Sequence, residues 1–165
     1  MFQNMPFAFK EWAVVCRALA SGRQDVILRK GGIVEDGGTF RVDHDSFYLL
    51  PTFLHQSKDC IIPEAQDLFI GIESDRPPSG SVVFTHEATI VRSSRVTSLD
   101  VVSQLRGRHI WSDAVVSERF HRWKNELHVL EVSVRALPQP LTSPWSHDYD
   151  GCKSWVEVQA EGGSL

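Results

Sequence analysis

Apolar residues recur at three- and four-residue spacing across residues 7–20, a period that predicts an amphipathic helix. The spaced positions are Phe9, Trp12, Ala13, Cys16, Leu19 and Ala20. Start signals at Asn4 and Pro6 and a Ser-Gly stop at residues 21–22 frame this helix. A strand over residues 12–18 is the alternative, because the neighbouring Val14 and Val15 are β-branched.

The segment "VILRKGGIVEDGGTF", residues 26–40, continues from a predicted strand, "DVILRK", into two Gly pairs. It leads to "FRVDHDSFYLL", whose ends are also typical of strand, so we expect a strand pair beside the N-terminal helix. The glycines suggest a phosphate-binding loop, but neither GxxxxGK followed by Ser or Thr nor GxGxxG occurs. A turn whose glycines adopt positive φ is therefore favoured.

The middle of the chain alternates irregular and extended patterns. Residues 57–81 contain "RPPSG" and predict a long connection with one short helix. Residues 81–98 are typical of extended chain. The segment "TSLDVVSQLRG" then predicts a helix that opens with a capping box from Thr97 to Asp100 and ends at Gly107.

Two further strands are predicted near the C-terminus. The stretch "LHVLEVSVRALPQP" reads as a strand that Pro138 and Pro140 terminate. The stretch "KSWVEVQ" predicts an edge strand. Because these elements do not alternate as βαβ units, we expect a single α+β domain over residues 3–158, with a frayed tail at 159–165. Its sheet should be mixed and strongly curved, with a barrel-like form as an open alternative.

Composition narrows the class of protein. Of the 165 residues 42% are apolar and 23% charged, which is typical of globular proteins. The sequence has no apolar run of 18 residues and no secretory leader, so we expect a cytoplasmic location and no membrane partner. Cys16, Cys60 and Cys152 are too few and too far apart for a disulfide scaffold or a zinc knuckle, which favours free thiols.

Charge is distributed unevenly along the chain. The net charge of −4 argues against a surface built throughout for nucleic acid, whose affinity depends on neutralised phosphates. Residues 92–124 nevertheless carry seven Lys and Arg against three acids. Trp111, Phe120 and Trp123 are interleaved with these cations and could stack on bases or anchor the core. The sequence thus leaves room for a local nucleic-acid surface.

The loop "LPTFLHQ" combines a hydroxyl, an imidazole and an amide at Thr52, His55 and Gln56. Such a set can bind a phosphate or a base edge, and the imidazole can also transfer a proton. No HExxH or GxSxG motif occurs, and no Lys has an acid two residues before it, as restriction-type nucleases require. We therefore expect neither a metal site nor a cofactor.

Six motifs in order match one family pattern. They are "KEWAVVCRAL", "ILRKGGIVE", "FYLLPTFLHQ", "HIWSDAVVSERFHRWK", "LHVLEVSVRALPQP" and "YDGCKSWVEV". Over residues 9–158 the chain resembles the bacterial domain-of-unknown-function family 1802. The resemblance implies no established activity. Some members are joined to restriction-endonuclease-like domains, which implies a role in restriction-modification and, here, a separate nuclease chain as partner.

The resemblance also selects candidate site residues, because some polar positions fall inside its motifs. These are Arg29, Lys30, Thr52, His55, Gln56, Arg119, Arg122, Lys124, Lys153 and Trp155. The leading hypothesis is an accessory module that recognises DNA or RNA, with the cations on phosphates. The alternatives are a hydrolase-type enzyme that acts on a phosphate-containing substrate through His55, and a protein-interaction module. The oligomeric state is left open.

Overall fold

The centre of the computed structural model, which describes residues 6–30, 42, 44–151 and 153–159, is a six-stranded sheet with the order β2-β5-β4-β3-β1-β6. The strands are β1 Phe7–Trp12, β2 Val26–Arg29, β3 Ser46–Thr52, β4 Ser81–Val96, β5 Leu127–Pro144 and β6 Trp155–Glu157. Strands β1 and β3 are parallel, and the other pairs are antiparallel. The predicted α+β fold with a mixed sheet is confirmed. Within the described ranges the sheet is not closed, so the barrel-like alternative is wrong.

The N-terminal segment is half strand and half helix. Strand β1 gives way directly to helix α1, Ala13–Ala20, so the predicted helix over 7–20 is right only for its second half, and the strand alternative over 12–18 is wrong. Strand β1 lies between β3 and β6, where Ala8 packs on one face of the sheet and Phe9 on the other. Burial on both faces removes the period-two alternation that would have identified a strand.

Helix α1 begins without a Ser, Thr, Asp or Asn cap, and two other side chains satisfy its first amides. The Trp12 amide donates to Glu11 Oε1 at 2.9 Å, and the Val14 amide donates to Gln56 Oε1 at 2.8 Å. Because unpaired amides at a helix start are costly, these acceptors fix where α1 begins. They also tie the chain at Gln56 to the end of β1.

Strands β2 and β3 do not pair with each other, so the predicted strand pair is wrong. Strand β2 pairs with β5, and β3 lies between β1 and β4. The choice of partner follows from burial, because Ile27 and Leu28 face the same core as Val129 and Leu130 of β5. The predicted glycine turn lies at residues 31–41, outside the described residues.

Strands β4 and β5 form a long antiparallel ribbon, which confirms the extended chain predicted for 81–98. The predicted stop at Pro138 and Pro140 is wrong, because β5 continues to Pro144. The ladder pairs His86 with Ala136 and then Phe84 with Leu141, so residues 137–140 bulge out of register. A proline has no amide hydrogen, and a bulge is a place where none is needed.

The connection between β3 and β4 contains three short 3₁₀ helices instead of the single helix predicted. They are Lys58–Cys60, Pro63–Phe69 and Ile72–Asp75. Arg17 of α1 holds this segment, because its Nε donates to Asp75 Oδ2 at 2.7 Å. The same guanidinium donates to the carbonyl oxygens of Leu68, Ile70 and Gly71. An irregular segment is thus fastened at several points to a regular helix.

Two helices separate β4 from β5. Helix α2, Leu99–Ser103, has Ser98 as its N-cap residue and no side-chain cap, so the predicted capping box is wrong. It ends before Gly107, which adopts φ 86° in the following turn. Helix α3, Asp113–His121, was not predicted, although Ser112 caps it by accepting from the Val115 amide at 3.3 Å. The predicted edge strand is confirmed as β6.

The sheet carries apolar residues on both faces. The larger core includes Phe9, Phe47 and Trp111 and lies under α1 and α3. The smaller core includes Tyr48 and Phe84 on the opposite face. None of the helices in the described ranges combines the length and the apolarity that a membrane crossing needs.

Candidate functional site

An open cleft of about 640 Å³ lies where the end of β3 meets the start of β4 and the residues after β5. Its lining includes four cations, Lys10, Arg29, Arg76 and Lys153. The Trp145 amide donates to the Gly80 carbonyl at 2.9 Å, which joins two segments of the cleft wall. Its volume falls within the range of ligand pockets in proteins. The topology of the sheet therefore creates a concave site from segments far apart in sequence.

The cations of the cleft differ in how strongly they are held. Lys10 Nζ donates to the Gly151 carbonyl at 2.7 Å. The Arg76 guanidinium lies 4.8 Å from the centre of the Phe53 ring and forms an ion pair with Glu73. Lys153 is exposed at the rim. Arg76 and Lys153 therefore present their charge to solvent at the cleft.

Three carboxylates also line the cleft, at Glu11, Asp75 and Asp150. Asp75 is bound through both oxygens by Arg17, which lies outside the cleft lining. Glu11 is only 3% exposed and forms an ion pair with Arg29 at 3.7 Å. Arg76 is in turn compensated by Glu73, which leaves Lys10 and Lys153 against Asp150. The cleft can attract an anion although the whole chain is acidic.

Apolar side chains are exposed at the same place. Trp145 is 42% exposed and Leu54 is also exposed, and both line the cleft. The His147 ring meets the Trp145 ring edge to face, with centroids 4.8 Å apart. A half-exposed Trp beside cations is a surface on which a planar, anionic ligand can stack.

Arg29 is fixed at the floor of the cleft. Its Nε donates to Ser154 Oγ at 3.3 Å, and it also donates to the Lys10 carbonyl oxygen. The guanidinium lies 4.6 Å from the centre of the Phe9 ring. Together with the Glu11 pair, these contacts make Arg29 a connector of β1, β2 and the segment before β6. It contributes positive charge to the cleft from a fixed position.

The loop after β3 places its three predicted residues differently. Thr52 lines the cleft and donates its hydroxyl to the Glu11 carbonyl at 3.2 Å. Gln56 caps α1 and does not belong to the cleft lining. His55 is exposed, lines the cleft and adopts φ 67°. The two neighbours hold the loop in place while His55 projects into the cleft.

Lys30, the residue after β2, lies outside the cleft lining. Its ammonium group donates to three carbonyl oxygens, those of Phe120 at 3.1 Å, Glu126 at 2.8 Å and Lys124. These bonds occupy all three of its hydrogens. Burial lowers the pKa of Lys30 from its usual value, and the nearby Glu126 opposes that change. Lys30 stabilises the turn after α3.

The predicted cations of α3 and its C-terminal turn lie on the side of the sheet that Lys30 reaches. Arg119 lies 4.0 Å from the centre of the buried Trp111 ring and donates to the Leu28 carbonyl at 3.4 Å. Burial is the main cause of the lowered pKa of Arg119. Arg122 forms an ion pair with Glu118 at 2.6 Å. Lys124 is exposed.

The structure therefore divides the predicted site residues into separate groups. The cleft contains Arg29, Thr52, His55 and Lys153. The end of α3 contains Lys30, Arg119, Arg122 and Lys124. Trp155 belongs to the core, with its ring 4.9 Å from Phe9 and 5.0 Å from Phe47. No single concave face holds the whole set.

Sequence reasoning missed three residues of the cleft. These are Lys10, Arg76 and Trp145. Arg76 stands at the start of "RPPSG" and Trp145 at the start of "WSHDYDG", and both loops combine a large side chain with turn residues. That composition is typical of binding loops and was the available signal. Lys10 begins the motif "KEWAVVCRAL", but a polar residue in a predicted amphipathic helix is ordinarily a solvated one.

Neither of the two cysteines that the structure describes lines the cleft. Cys16 and Cys60 are free thiols, and Cys152 lies outside the described residues. Burial raises the pKa of the Cys16 thiol well above its usual value, which opposes formation of the reactive thiolate. In the part of the chain that the structure describes, no group of three or more His, Cys, Asp or Glu side chains could hold a metal ion.

Solved structures with a similar fold define the structural class of the protein as α+β. An ASCH protein from Zymomonas mobilis matches with a TM-score of 0.54 at 11% identity, over 94% of this chain and 88% of that one. Its tyrosine-to-phenylalanine mutant matches with a TM-score of 0.53 at 12% identity, over 93% and 89%. At such identity the likeness shows the fold alone.

Residues 8–164 match the model of a family described as "Domain of unknown function (DUF1802)", and the chain belongs to that family. No curated protein matches the chain.

Proposed function

We propose that this protein binds a single-stranded nucleic acid in the cleft. One observation carries the proposal: four cations converge in one concave site with an exposed Trp and an exposed His. Phosphates would lie against Lys153 and Arg76 at the rim, and a base would stack on Trp145. Proteins that bind single strands combine cations that follow the backbone with aromatic rings that stack on bases.

The shape of the site favours a single strand over a duplex. Proteins read a duplex by placing a helix or a two-stranded ribbon into a groove about 12 Å wide. Here the candidate residues line a concave cleft of about 640 Å³, so the ligand must enter the protein. An unpaired nucleotide can do this, whereas a paired one would first have to leave its stack at a cost of a few kcal/mol. Single-stranded DNA and RNA share the chemistry that the cleft recognises.

Fluorescence anisotropy with labelled single-stranded DNA and RNA, measured over a series of salt concentrations, tests the proposal. The double variant Arg76→Ala/Lys153→Ala should bind more weakly. Its plot of log affinity against log salt should be shallower by about 0.7 for each phosphate that the variant no longer neutralises. The matched control is Arg92→Ala/Arg135→Ala, which removes two exposed Arg residues of the β4–β5 ribbon outside the cleft. It should keep the slope of the wild type.

Two results would overturn the proposal. One is a wild-type protein that binds no single strand at low salt, where phosphate contacts are strongest. The other is a salt slope that changes equally in the cleft variant and in the control variant. In the second case the cations act through net charge and not through the cleft.

Phosphate-ester hydrolysis with His55 as general acid or base is a second candidate function. It is favoured by the position of His55, which lines the same cleft as Arg29. Among the described residues, however, no side chain hydrogen-bonds the imidazole to orient it, and Lys30 is engaged at the end of α3. Catalytic imidazoles are usually oriented by a third group. If the wild type cleaves a single-stranded nucleic acid and His55→Ala does not, hydrolysis becomes the favoured function.

A role beside a restriction-type nuclease is a proposal about partners that the family resemblance suggests. It would be supported by a nuclease chain that co-purifies with the protein at a fixed stoichiometry. Binding of the single strand by the purified protein alone does not depend on it. The two proposals can therefore fail separately.

A further inference from the structure

Trp123, at the end of α3, combines strain with exposure. It adopts φ 62°, one of two positive values among non-glycine residues in the described ranges, the other being that of His55. Its side chain is 59% exposed. Left-handed backbone is uncommon for a bulky residue, and such strain persists only where the surroundings enforce it. Neither burial nor backbone preference explains a Trp at this position.

The turn that carries Trp123 is held rigidly. Lys30 donates to the carbonyl oxygens of Phe120, Lys124 and Glu126. The Glu126 amide donates to the Phe120 carbonyl at 3.1 Å, and the Lys124 amide donates to the Arg122 carbonyl at 2.8 Å. A residue on another element thus fixes the shape of residues 120–126. The ring is displayed by a defined turn.

Trp123 has a cation on each side of it in the sequence. The Arg122 guanidinium lies 5.8 Å from the centre of the Trp123 ring, and Lys124 is exposed next to it. Arg122 is also paired with Glu118, at 46% and 56% side-chain exposure, so solvent screens that pair. An exposed ring whose neighbouring residues are exposed cations complements a base between two phosphates. We call residues 120–126 the Trp123 turn.

The Trp123 turn and the cleft meet at the end of β2. Arg29 lines the cleft and Lys30 holds the turn, and consecutive α-carbons are only about 3.8 Å apart. Arg119 of α3 donates to the Leu28 carbonyl at 3.4 Å, so the helix that leads into the turn also lies against the end of β2. A nucleic-acid strand that extends beyond the cleft along β2 can therefore reach the turn.

We propose that the Trp123 turn is a second contact for the same single strand, outside the cleft. The indole ring stacks on one base, and Arg122 and Lys124 contact the phosphates on either side. This inference rests on the proposed function of the cleft. It predicts that the contribution of the turn depends on the length of the nucleic acid, because a strand that only fills the cleft does not reach the turn.

Oligonucleotides of two lengths, about 4 and about 16 nucleotides, test the inference, because these lengths span the site sizes of single-strand-binding folds. In Trp123→Ala the affinity for the long strand should fall about tenfold or more, the loss expected for one stacked base. The affinity for the short strand should not change. Val91→Ala, which shortens an exposed apolar side chain on β4, is the matched control and should change neither affinity.

A second variant separates recognition from folding. Trp123→Gly removes the ring and places at φ 62° the residue that adopts this conformation most readily. Its thermal midpoint should equal or exceed that of the wild type, while its affinity for the long strand falls as in Trp123→Ala. A ring with a structural role would instead lower the midpoint.

The outcomes distinguish the two proposals. If the wild type binds neither strand, the function of the cleft and this inference both fail. If the short strand binds and Trp123→Ala leaves the long-strand affinity unchanged, only this inference is overturned. A loss of equal size for both lengths also overturns it, because the turn would then act through the cleft. A lower thermal midpoint in Trp123→Gly would count against it as well.

Discussion

The cleft and the Trp123 turn both combine a Trp with exposed cations, but the chain builds them in different ways. The cleft draws Lys10, Arg76 and Lys153 from distant parts of the sequence. The turn consists of consecutive residues, 120–126, which the family motif "HIWSDAVVSERFHRWK" covers in part. A contiguous site can be recognised in the sequence as a cluster. A site assembled by sheet topology becomes visible only when the strand order is known.

Arg29 and Lys30 show the same contrast at the point where the two sites meet. The charge of Arg29 is balanced by a buried carboxylate, Glu11. The charge of Lys30 is balanced by the dipoles of three backbone carbonyls. An ion balanced by one buried counter-ion depends on that partner more than an ion shared among several dipoles. A mutation that removes the partner of Arg29 should therefore change the free energy of unfolding by a different amount from a mutation of Lys30.

The largest effect is expected on the cleft side, in Glu11→Ala. This change leaves the half-buried Arg29 without its counter-ion and removes the acceptor of the Trp12 amide. Breaking one partner of a buried pair typically costs about 3–5 kcal/mol of unfolding free energy. Urea denaturation of the wild type and the variant measures the loss.

Glu11→Gln is the matched control for that prediction. It keeps an oxygen that can accept from the Trp12 amide and removes only the negative charge. Its loss should be smaller than that of Glu11→Ala. A loss below about 1 kcal/mol in Glu11→Ala, the level of a surface ion pair, would show that Arg29 does not depend on this carboxylate.

A smaller effect is expected on the side of the Trp123 turn, in Lys30→Met. The change keeps most of the apolar stem but leaves three carbonyl oxygens without their charged donor. The cost should be about 1–3 kcal/mol, because the carbonyls lie in a turn where water can replace part of the interaction. Hydrogen exchange should speed up at the end of α3 and not in β1. Faster exchange throughout the chain would mean that Lys30 supports the whole fold.

The sequence predicted the elements whose pattern is local. Extended chain at β4, the edge strand β6 and the second half of the N-terminal helix follow from periodicity and turn residues. Strand β1 was missed because Ala8 and Phe9 are buried on opposite faces, which hides the alternation. The course of β5 past Pro138 was missed because a bulge removes the need for a proline amide. In both cases the structure depends on pairing between strands that are far apart in the sequence.

The sequence likewise selected only some of the residues that line the candidate cleft. His55 and Lys153 were selected by residue type within motifs, and the structure places both in the cleft. Lys30 and Arg119 are also cations within the motifs, yet both bond carbonyl oxygens and Arg119 packs on Trp111. Sequence shows which side chains carry charge. It does not show which of those charges the fold uses internally, because the partners come from other elements.

The smallest expected effect is a pH dependence of stability. It again distinguishes the α3 side of β2 from the β1 side. His109, which lies between α2 and α3, is 4% exposed, and burial lowers its pKa from the usual value of 6.5. The folded protein then binds fewer protons than the unfolded chain at mildly acidic pH. The stability that His109 contributes is complete above pH 6.5 and is lost as pH falls through the lower folded value. Acidification from about pH 7 to about pH 5 should therefore loosen α3 before β1.

His109→Gln should flatten that pH dependence, because it replaces the imidazole with a side chain that does not titrate and can still accept from the Trp111 amide. His147→Gln is the control, since its imidazole is 93% exposed, and it should keep the slope of the wild type. A residual slope in His109→Gln is expected from His86, whose pKa is also lowered by burial. Hydrogen exchange that rises equally in α3 and β1 on acidification would contradict a pH response that begins at His109.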